Sequence, residues 1–94
     1  TIIIITKEFW MNIIWKPTAR KQLRKLPLDR QEQIYQAVCT LDDMPDVHAD
    51  VKKLKGFDDT YRLRVGRYRV IFGFYERIQI VEIQEVKKRD ERTY

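Results

Sequence analysis

Two consecutive segments in the second half of the chain alternate apolar with other residues. In residues 61–65 and again in residues 68–74, every second side chain is a tyrosine, leucine, valine or phenylalanine. This period of two predicts a pair of β-strands with one apolar face. Gly66 and Arg67 separate the segments and, with glycine first, fit the two-residue type II′ turn of an antiparallel hairpin. A further strand is predicted over residues 78–86.

Two segments before this hairpin repeat apolar residues at positions i, i+4 and i+7, which predicts amphipathic helices. The repeated residues are Ala19, Leu23 and Leu26 in the first segment and Ile34, Val38 and Leu41 in the second. Thr18 is the predicted N-cap of the first helix, which ends before Pro27 because the residue preceding a proline is disfavoured in the α region. Asp29 and Glu32 match a capping box for the second helix, which we expect to reach about Asp43.

A short β-prone run at residues 12–16 precedes the helices. The whole order predicts an α+β fold with a short N-terminal strand and two helices packed on a twisted, mainly antiparallel sheet of about four strands. This pattern occupies residues 11–94 as a single domain and does not require residues 1–10, an apolar stretch before Met11. We expect residues 1–10 to come from upstream translation or from an added segment. A genuine edge strand is the rival interpretation.

The composition limits the kind of protein this can be. With 94 residues, 44% of them hydrophobic, the chain has the size and apolar content of one small folded domain. The apolar run at residues 2–5 is too short to cross a bilayer, so we expect a soluble cytoplasmic protein without a membrane partner. Cys39 and His48 are the only cysteine and histidine, too few for a disulfide or a four-ligand zinc site. No metal or cofactor is expected.

The net charge of +5 is unevenly distributed. Residues 1–50 hold seven basic and seven acidic groups, whereas residues 51–94 hold twelve basic and seven acidic ones. The second half of the chain is therefore the part that would attract a polyanion.

The hairpin register that follows from the turn places arginines together. Arg64 falls opposite Arg69, and Arg62 projects from the same face, while the other face is apolar throughout. Like charges directly opposite each other destabilise a hairpin, so this arrangement has either a functional reason or enough solvent screening to be tolerated. Further basic residues flank the strands. We expect RNA binding from Lys52, Lys53, Lys55, Lys87, Lys88 and Arg92.

Single-stranded RNA fits these residues better than duplex DNA read in the major groove. No predicted helix carries a full basic recognition face, although Arg20, Lys21 and Arg24 form a partial one. A sheet face with cationic and aromatic side chains can hold splayed nucleotides by charge and stacking.

Three motifs make residues 11–94 resemble the RelE/ParE toxin superfamily. They are L-K-G at 54–56, the hairpin containing Y-R-L-R and Y-R-V-I-F at 61–72, and the closing K-R-D-E-R-T-Y at 88–94. The resemblance implies a type II toxin held by a cognate antitoxin, with operator DNA bound only through that complex. RelE-like members cut messenger RNA in the ribosomal A site, without a metal, by attack of the ribose 2′-hydroxyl on the adjacent phosphate.

The same resemblance implies which residues act. Carried over by motif, the catalytic set consists of Arg62, Arg64, Arg69, Arg89 and Tyr94. Arg69 and Arg89 would stabilise the phosphorane-like transition state, and Tyr94 would stack on or orient the base or ribose. An acidic, partly disordered antitoxin would be attracted to the basic half of the chain. Apolar contacts to it, or ordinary core packing, would use Trp15, Phe57, Phe74 and Tyr75.

The chain departs from the RelE pattern at Arg62 and Arg64, where that pattern has lysines. An arginine stays protonated and is a poor general base. A carboxylate or the single histidine could serve instead, the candidates being Glu85, Asp90, Glu91 and His48. Two alternatives therefore stay open: a ParE-like, non-enzymatic gyrase poison, and a catalytically weak basic RNA-binding module.

Overall fold

A computed structural model describes residues 11–43, 50–56 and 58–88, in which two helices and five strands follow one another. In chain order these are β1 (Asn12–Trp15), α1 (Pro17–Arg24), α2 (Leu28–Cys39), β2 (Val51–Lys53), β3 (Thr60–Val65), β4 (Tyr68–Tyr75) and β5 (Ile80–Lys88). Short 3₁₀ helices, Thr40–Asp43 and Glu76–Ile78, follow α2 and β4. None of the helices in these ranges is long and apolar enough to span a membrane.

The strands form one sheet in the order β1-β5-β4-β3-β2. Strand β1 runs parallel to β5, and every other neighbouring pair is antiparallel. The predicted α+β class with a mainly antiparallel sheet is confirmed, with five strands in place of about four. The additional strand is β2, whose three residues are too few to show a periodic pattern.

The hairpin formed by β3 and β4 has the predicted register. Val65 pairs with Tyr68, Arg64 with Arg69 and Arg62 with Ile71. Gly66 has a φ of 58°, whereas Arg67 lies outside the left-handed region, and these signs match the two central positions of a type II′ turn.

Both helices cover the apolar face of the sheet. The fully buried side chains include Phe72, Ile34, Leu41, Leu63, Ile83, Val38, Val70 and Val81. Leu23 and Leu26 are half-buried and pack against this core, and Ala19 is completely buried. The predicted apolar faces of the helices and of the hairpin therefore meet in a single core, which leaves the opposite face of the sheet open.

The helix ends differ from the predictions made for them. Lys16 is the N-cap of α1 and Pro17 its first residue, so Thr18 already lies inside the helix. Pro27 is the N-cap of α2, with no side-chain cap, and Asp29 lies in the first turn. Each proline has the φ that a helix start requires and lacks an N–H that would need a partner, so it displaces the predicted caps. Helix α2 ends at Cys39, and the 3₁₀ turn carries the chain on to Asp43.

A side chain of α1 protects the part of β5 that extends beyond β1. Strand β1 pairs only as far as Trp15 opposite Ile83, and the next bond is from the N–H of Lys16 to the Ile83 carbonyl at 2.9 Å. Further along β5, the Val86 N–H donates to Gln22 Oε1 at 2.7 Å. The helix is thereby attached to the sheet by a polar contact as well as by its apolar face.

Lys16→Asp should stabilise the domain by about 0.5–1 kcal/mol. The Lys16 backbone already has the extended conformation of an N-cap, with φ −70° and ψ 152°, but the helix has no side-chain cap bond. An aspartate there would accept a bond from the first turn and would place a negative charge at the positive end of the helix dipole. The measurement is urea unfolding. Lys25→Asp makes the same charge change at the C-cap of α1 and should lower stability instead. Equal effects of Lys16→Asp and Lys25→Asp on the free energy of unfolding would contradict the capping explanation.

Candidate functional site

The open face of the sheet carries two adjacent rows of mostly charged residues, which we name the arginine face. In the first row, Arg64, Arg69 and Lys87 stand opposite one another on β3, β4 and β5. Directly opposed residues in antiparallel strands have Cβ atoms roughly 4.5–5.5 Å apart. Three cations therefore stand side by side across β3, β4 and β5, one residue pair from the hairpin turn.

The second row consists of Lys52, Arg62, Ile71 and Glu85 on strands β2 to β5. Arg62 is half-buried, and its Nε is buried without a hydrogen-bond acceptor in the described part of the chain. Leaving a buried donor unsatisfied costs free energy. An anionic oxygen bound on this face could supply the missing acceptor.

Carboxylates stand at both ends of the first row. Asp50 Oδ1 lies 3.3 Å from Arg64 Nη2, and Glu85 Oε1 lies 3.0 Å from Lys87 Nζ. All four side chains are about half-exposed, and ion pairs at that exposure contribute little stability. These pairs orient the outer cations and can be exchanged at low cost for contacts to a bound anion. Arg69, which is half-buried, occupies the middle position.

An aromatic ring lies on the same face of β4. A Cβ placed on Gly73 would come within 2.5 Å of the Tyr75 hydroxyl oxygen and 2.7 Å of the ring carbon Cζ, so the ring occupies the space that glycine leaves empty. Tyr75, which was expected either to contact an antitoxin or to lie in the core, is half-buried on the open face and is therefore not part of the core. Tyr61 lies on the helix side, where its ring stacks on Phe72 at 5.7 Å and meets Phe74 edge-on at 5.9 Å.

The lysines of β2 and β5 that were predicted to bind RNA lie on two different faces of the sheet. Lys52 and Lys87 belong to the arginine face, whereas Lys53 pairs with Tyr61 and Lys88 with Tyr68, on the helix side. The two-residue period of a strand sends consecutive lysines to opposite faces, so Lys53 and Lys88 do not lie beside the arginines. Lys55 lies in the turn after β2.

Several predicted site residues lie outside the described ranges. These are Arg89, Arg92 and Tyr94, together with the base candidates His48, Asp90 and Glu91. Of the four base candidates Glu85 is described, and it lies on the arginine face. Among the described residues, no three His, Cys, Asp or Glu side chains are grouped as ligands of a metal ion would be.

Asp50 is a site residue that sequence reasoning missed. Its carbonyl accepts from the Arg64 N–H at 2.9 Å, and its carboxylate reaches the same residue's guanidinium. Both contacts depend on β2 lying beside β3. Since no sequence pattern predicted β2, no signal identified Asp50 as the neighbour of a residue 14 positions away.

Comparisons with family models, curated proteins and solved structures agree with one another. The family model described as the ParE toxin of the type II toxin–antitoxin system, parDE, matches residues 13–93. RelE1 of Methanocaldococcus jannaschii is 31% identical over an alignment of 72 residues, and the match covers 74% of this chain and 80% of the relative. An archaeal RelE–RelB complex from Pyrococcus horikoshii contains a chain with a TM-score of 0.75 and 27% identity, covering 86% of this chain and 97% of that one.

A second solved structure agrees in fold. A chain of the toxin–antitoxin complex RelBE2 from Mycobacterium tuberculosis has a TM-score of 0.73 at 24% identity. The match covers 85% of this chain and 99% of that one. The arrangement of helices and strands described above is therefore shared with proteins of this kind.

Proposed function

This chain belongs to the ParE toxin family of type II toxin–antitoxin systems, and on that premise we propose that it is a ribosome-dependent endoribonuclease that cuts messenger RNA in the ribosomal A site. The resemblance to the RelE/ParE superfamily predicted from the sequence is confirmed. The observation that carries the proposal is the first row of the arginine face, in which Arg69 stands between Arg64 and Lys87. Arginine clusters suit phosphate groups because the planar guanidinium can form two parallel bonds to them.

The proposed reaction is an intramolecular transfer at phosphorus. The ribose 2′-oxygen attacks the adjacent phosphorus, the bond from phosphorus to the 5′-oxygen breaks, and the products carry a 2′,3′-cyclic phosphate and a 5′-hydroxyl. Negative charge gathers on the non-bridging oxygens in the transition state, and fixed guanidinium groups stabilise it. In this mechanism Arg69 and Arg89 bind those oxygens, Arg62 adds a guanidinium from the same face, and Arg64 holds a neighbouring phosphate. Tyr94, which stacks on or orients the base or ribose, completes the proposed catalytic set.

The reaction also needs a proton acceptor for the 2′-hydroxyl and a donor for the departing 5′-oxygen. Glu85 stands in the second row, in line with Arg62, and its carboxylate contacts Lys87. It is therefore the described candidate for the acceptor. The ammonium of Lys87 is a group on the same face that can donate a proton.

The proposed partners follow from the family and from the charge. We propose a cognate antitoxin, by analogy with the toxin–antitoxin and RelE–RelB complexes of the similar structures, and operator DNA reached only through it. The antitoxin would carry acidic residues that compete for the arginine face. The proposed site of action is the ribosome in the cytoplasm.

The proposal is tested by mapping 5′ ends of RNA after the full chain is added to a purified translation system. We expect cuts in phase with codons, carrying 5′-hydroxyl ends, only where ribosomes translate the message. The same message without ribosomes is the control. Unphased cutting of naked RNA at an equal rate would contradict ribosome dependence.

A second candidate is a ParE-like gyrase poison without enzymatic activity, the alternative that the resemblance left open, because the matched family is described as the ParE toxin. It predicts cleaved DNA trapped on gyrase and a DNA-damage response in cells, with messenger RNA intact. A third candidate, a basic RNA-binding module, predicts RNA binding without cuts in either nucleic acid. The same protein preparation assayed against translating ribosomes and against gyrase separates all three.

A further inference from the structure

A cleft lies between α2 and the turn that joins β3 to β4, apart from the arginine face. Its volume is about 480 Å³, and it is lined by Arg30, Gln33, Gly66, Arg67, Tyr68 and Lys88. Tyr68 and Lys88 pair with each other on the helix side of the sheet, so the cleft opens around the end of the hairpin on the side away from Arg64 and Arg69.

The close approach of helix and turn builds the cleft. A Cβ on Gly66 would lie 3.5 Å from Gln33 Nε2, so the helix side chain packs against the backbone of the turn. One helical turn earlier, Arg30 Nη1 donates to Gln33 Oε1 at 3.4 Å. Residues at i and i+3 share a helix face, so Arg30 and Gln33 both face the hairpin end.

The described residues that line the cleft carry only positive charge. Three of them are arginine or lysine, and none of the described lining residues is acidic. Asp29 lies 4.0 Å from Arg30, but its side chain is largely exposed and does not line the cleft. Within the described ranges, Arg67 and Lys88 form no ion pair. These like charges repel one another, and the attraction of each to a bound anion would offset that repulsion.

We propose that this cleft binds a backbone phosphate of the RNA strand whose neighbouring nucleotides lie on the arginine face. The inference rests on the proposed function. Lys87 and Lys88 are consecutive on β5 and point to opposite faces, and Arg67 stands at the tip of the turn between those faces. The basic surface is therefore continuous around the hairpin end. A strand that passes over the turn would stay in contact with cations along its path.

RNA is a better fit than an acidic peptide because of what else lines the cleft. Gln33 offers an amide and Tyr68 a half-buried aromatic ring with a hydroxyl, groups that can bind a sugar or stack on a base. The volume is within the range of sites that hold a molecule the size of a nucleotide.

The test compares two variants that lose the same charge. One is Arg30→Gln with Arg67→Gln and Lys88→Gln in the cleft; the control is Arg20→Gln with Lys21→Gln and Lys25→Gln on exposed positions of α1 and its C-cap. The affinity of each full chain for a labelled single-stranded RNA is measured by anisotropy over a range of salt concentrations. Losing one phosphate contact should make the slope of log K against log salt shallower by about 0.7 in the cleft variant. The control should keep the slope of the unchanged protein.

Equal slopes for the two variants would overturn the inference, because net charge alone would then explain the binding. Backbone amide signals of Gly66 and Arg67 in NMR spectra report on the cleft itself and on folding. They should shift with RNA, and a larger shift with a glutamate-rich peptide than with RNA would reassign the cleft to a protein partner. The ribosome assay above decides the proposed function independently, since the RNA titration needs no cutting.

Discussion

Replacing Arg69 with alanine should lower the rate of ribosome-dependent messenger RNA cutting by about 100- to 1,000-fold, the usual effect of removing one fixed donor from a charged transition state. Arg69 is on β4, which has a strand on each side, and its neighbours in the row are Arg64 and Lys87. A half-buried guanidinium on a central strand has little freedom to move, so its charge is already in place when the phosphate arrives. The measurement is the single-turnover rate of cutting on ribosomes that carry a vacant A site.

Arg77→Ala is the matched control for this prediction. Arg77 is an exposed arginine in the 3₁₀ turn after β4, at the far end of the strand from Arg69, and its loss changes the net charge equally. The control should cut at the parental rate. Arg69→Lys should fall between the two, because lysine keeps the charge but not the two-pronged contact to phosphate. Parental activity in Arg69→Ala would show that the arginine face is not the active surface.

The sequence predicts the hairpin well because independent signals agree there. The alternation of apolar residues determines which side chains share a face, and the turn at Gly66 determines the register of the two strands. A register shifted by one residue would place the apolar side chains of one strand on the open face. The opposition of Arg64 and Arg69 follows from these two facts alone. That is why the centre of the candidate site is predictable from local pattern.

Features that depend on distant segments are not predictable in this way. Strand β2 has three residues, and its position beside β3 is what brings Asp50 to Arg64. The bond from the Val86 N–H to Gln22 joins residues 64 apart in the chain. Neither contact can be predicted from a repeating pattern of residues, because each involves only one pair of polar groups.

The cleft between α2 and the hairpin turn could not be predicted from the sequence either. Arg30 was predicted only as part of a helix, and Arg67 only as part of a turn, and their proximity depends on how α2 crosses the hairpin end. Lys88, in contrast, was predicted to bind RNA from its charge alone, but its strand position sends it away from the arginines. Charge counting identifies the basic half of the chain, and only the sheet register divides its cations between the arginine face and the cleft.

Phe72→Ala should lower the free energy of unfolding by about 3–5 kcal/mol, the cost of removing a large aromatic side chain from a packed core. Phe72 has no exposed surface, and its ring stacks on Tyr61 in the centre of the sheet. Small domains have a total stability of about 5–15 kcal/mol, so this loss is a substantial fraction of it. Urea unfolding at 25 °C, followed by circular dichroism, measures the change.

Leu28→Ala is the control for Phe72→Ala, since Leu28 is also a large apolar residue but is 81% exposed at the start of α2. Its effect should stay within about 0.5 kcal/mol, as for most surface substitutions. A loss below about 1 kcal/mol in Phe72→Ala would contradict the core described for this fold. Phe72 follows Ile71 at the irregularity between β4 and β5 and points away from the arginine face. At low temperature, where more of Phe72→Ala is folded, this variant should therefore still cut messenger RNA. Arg69→Ala should cut slowly at every temperature, because its defect is not in folding.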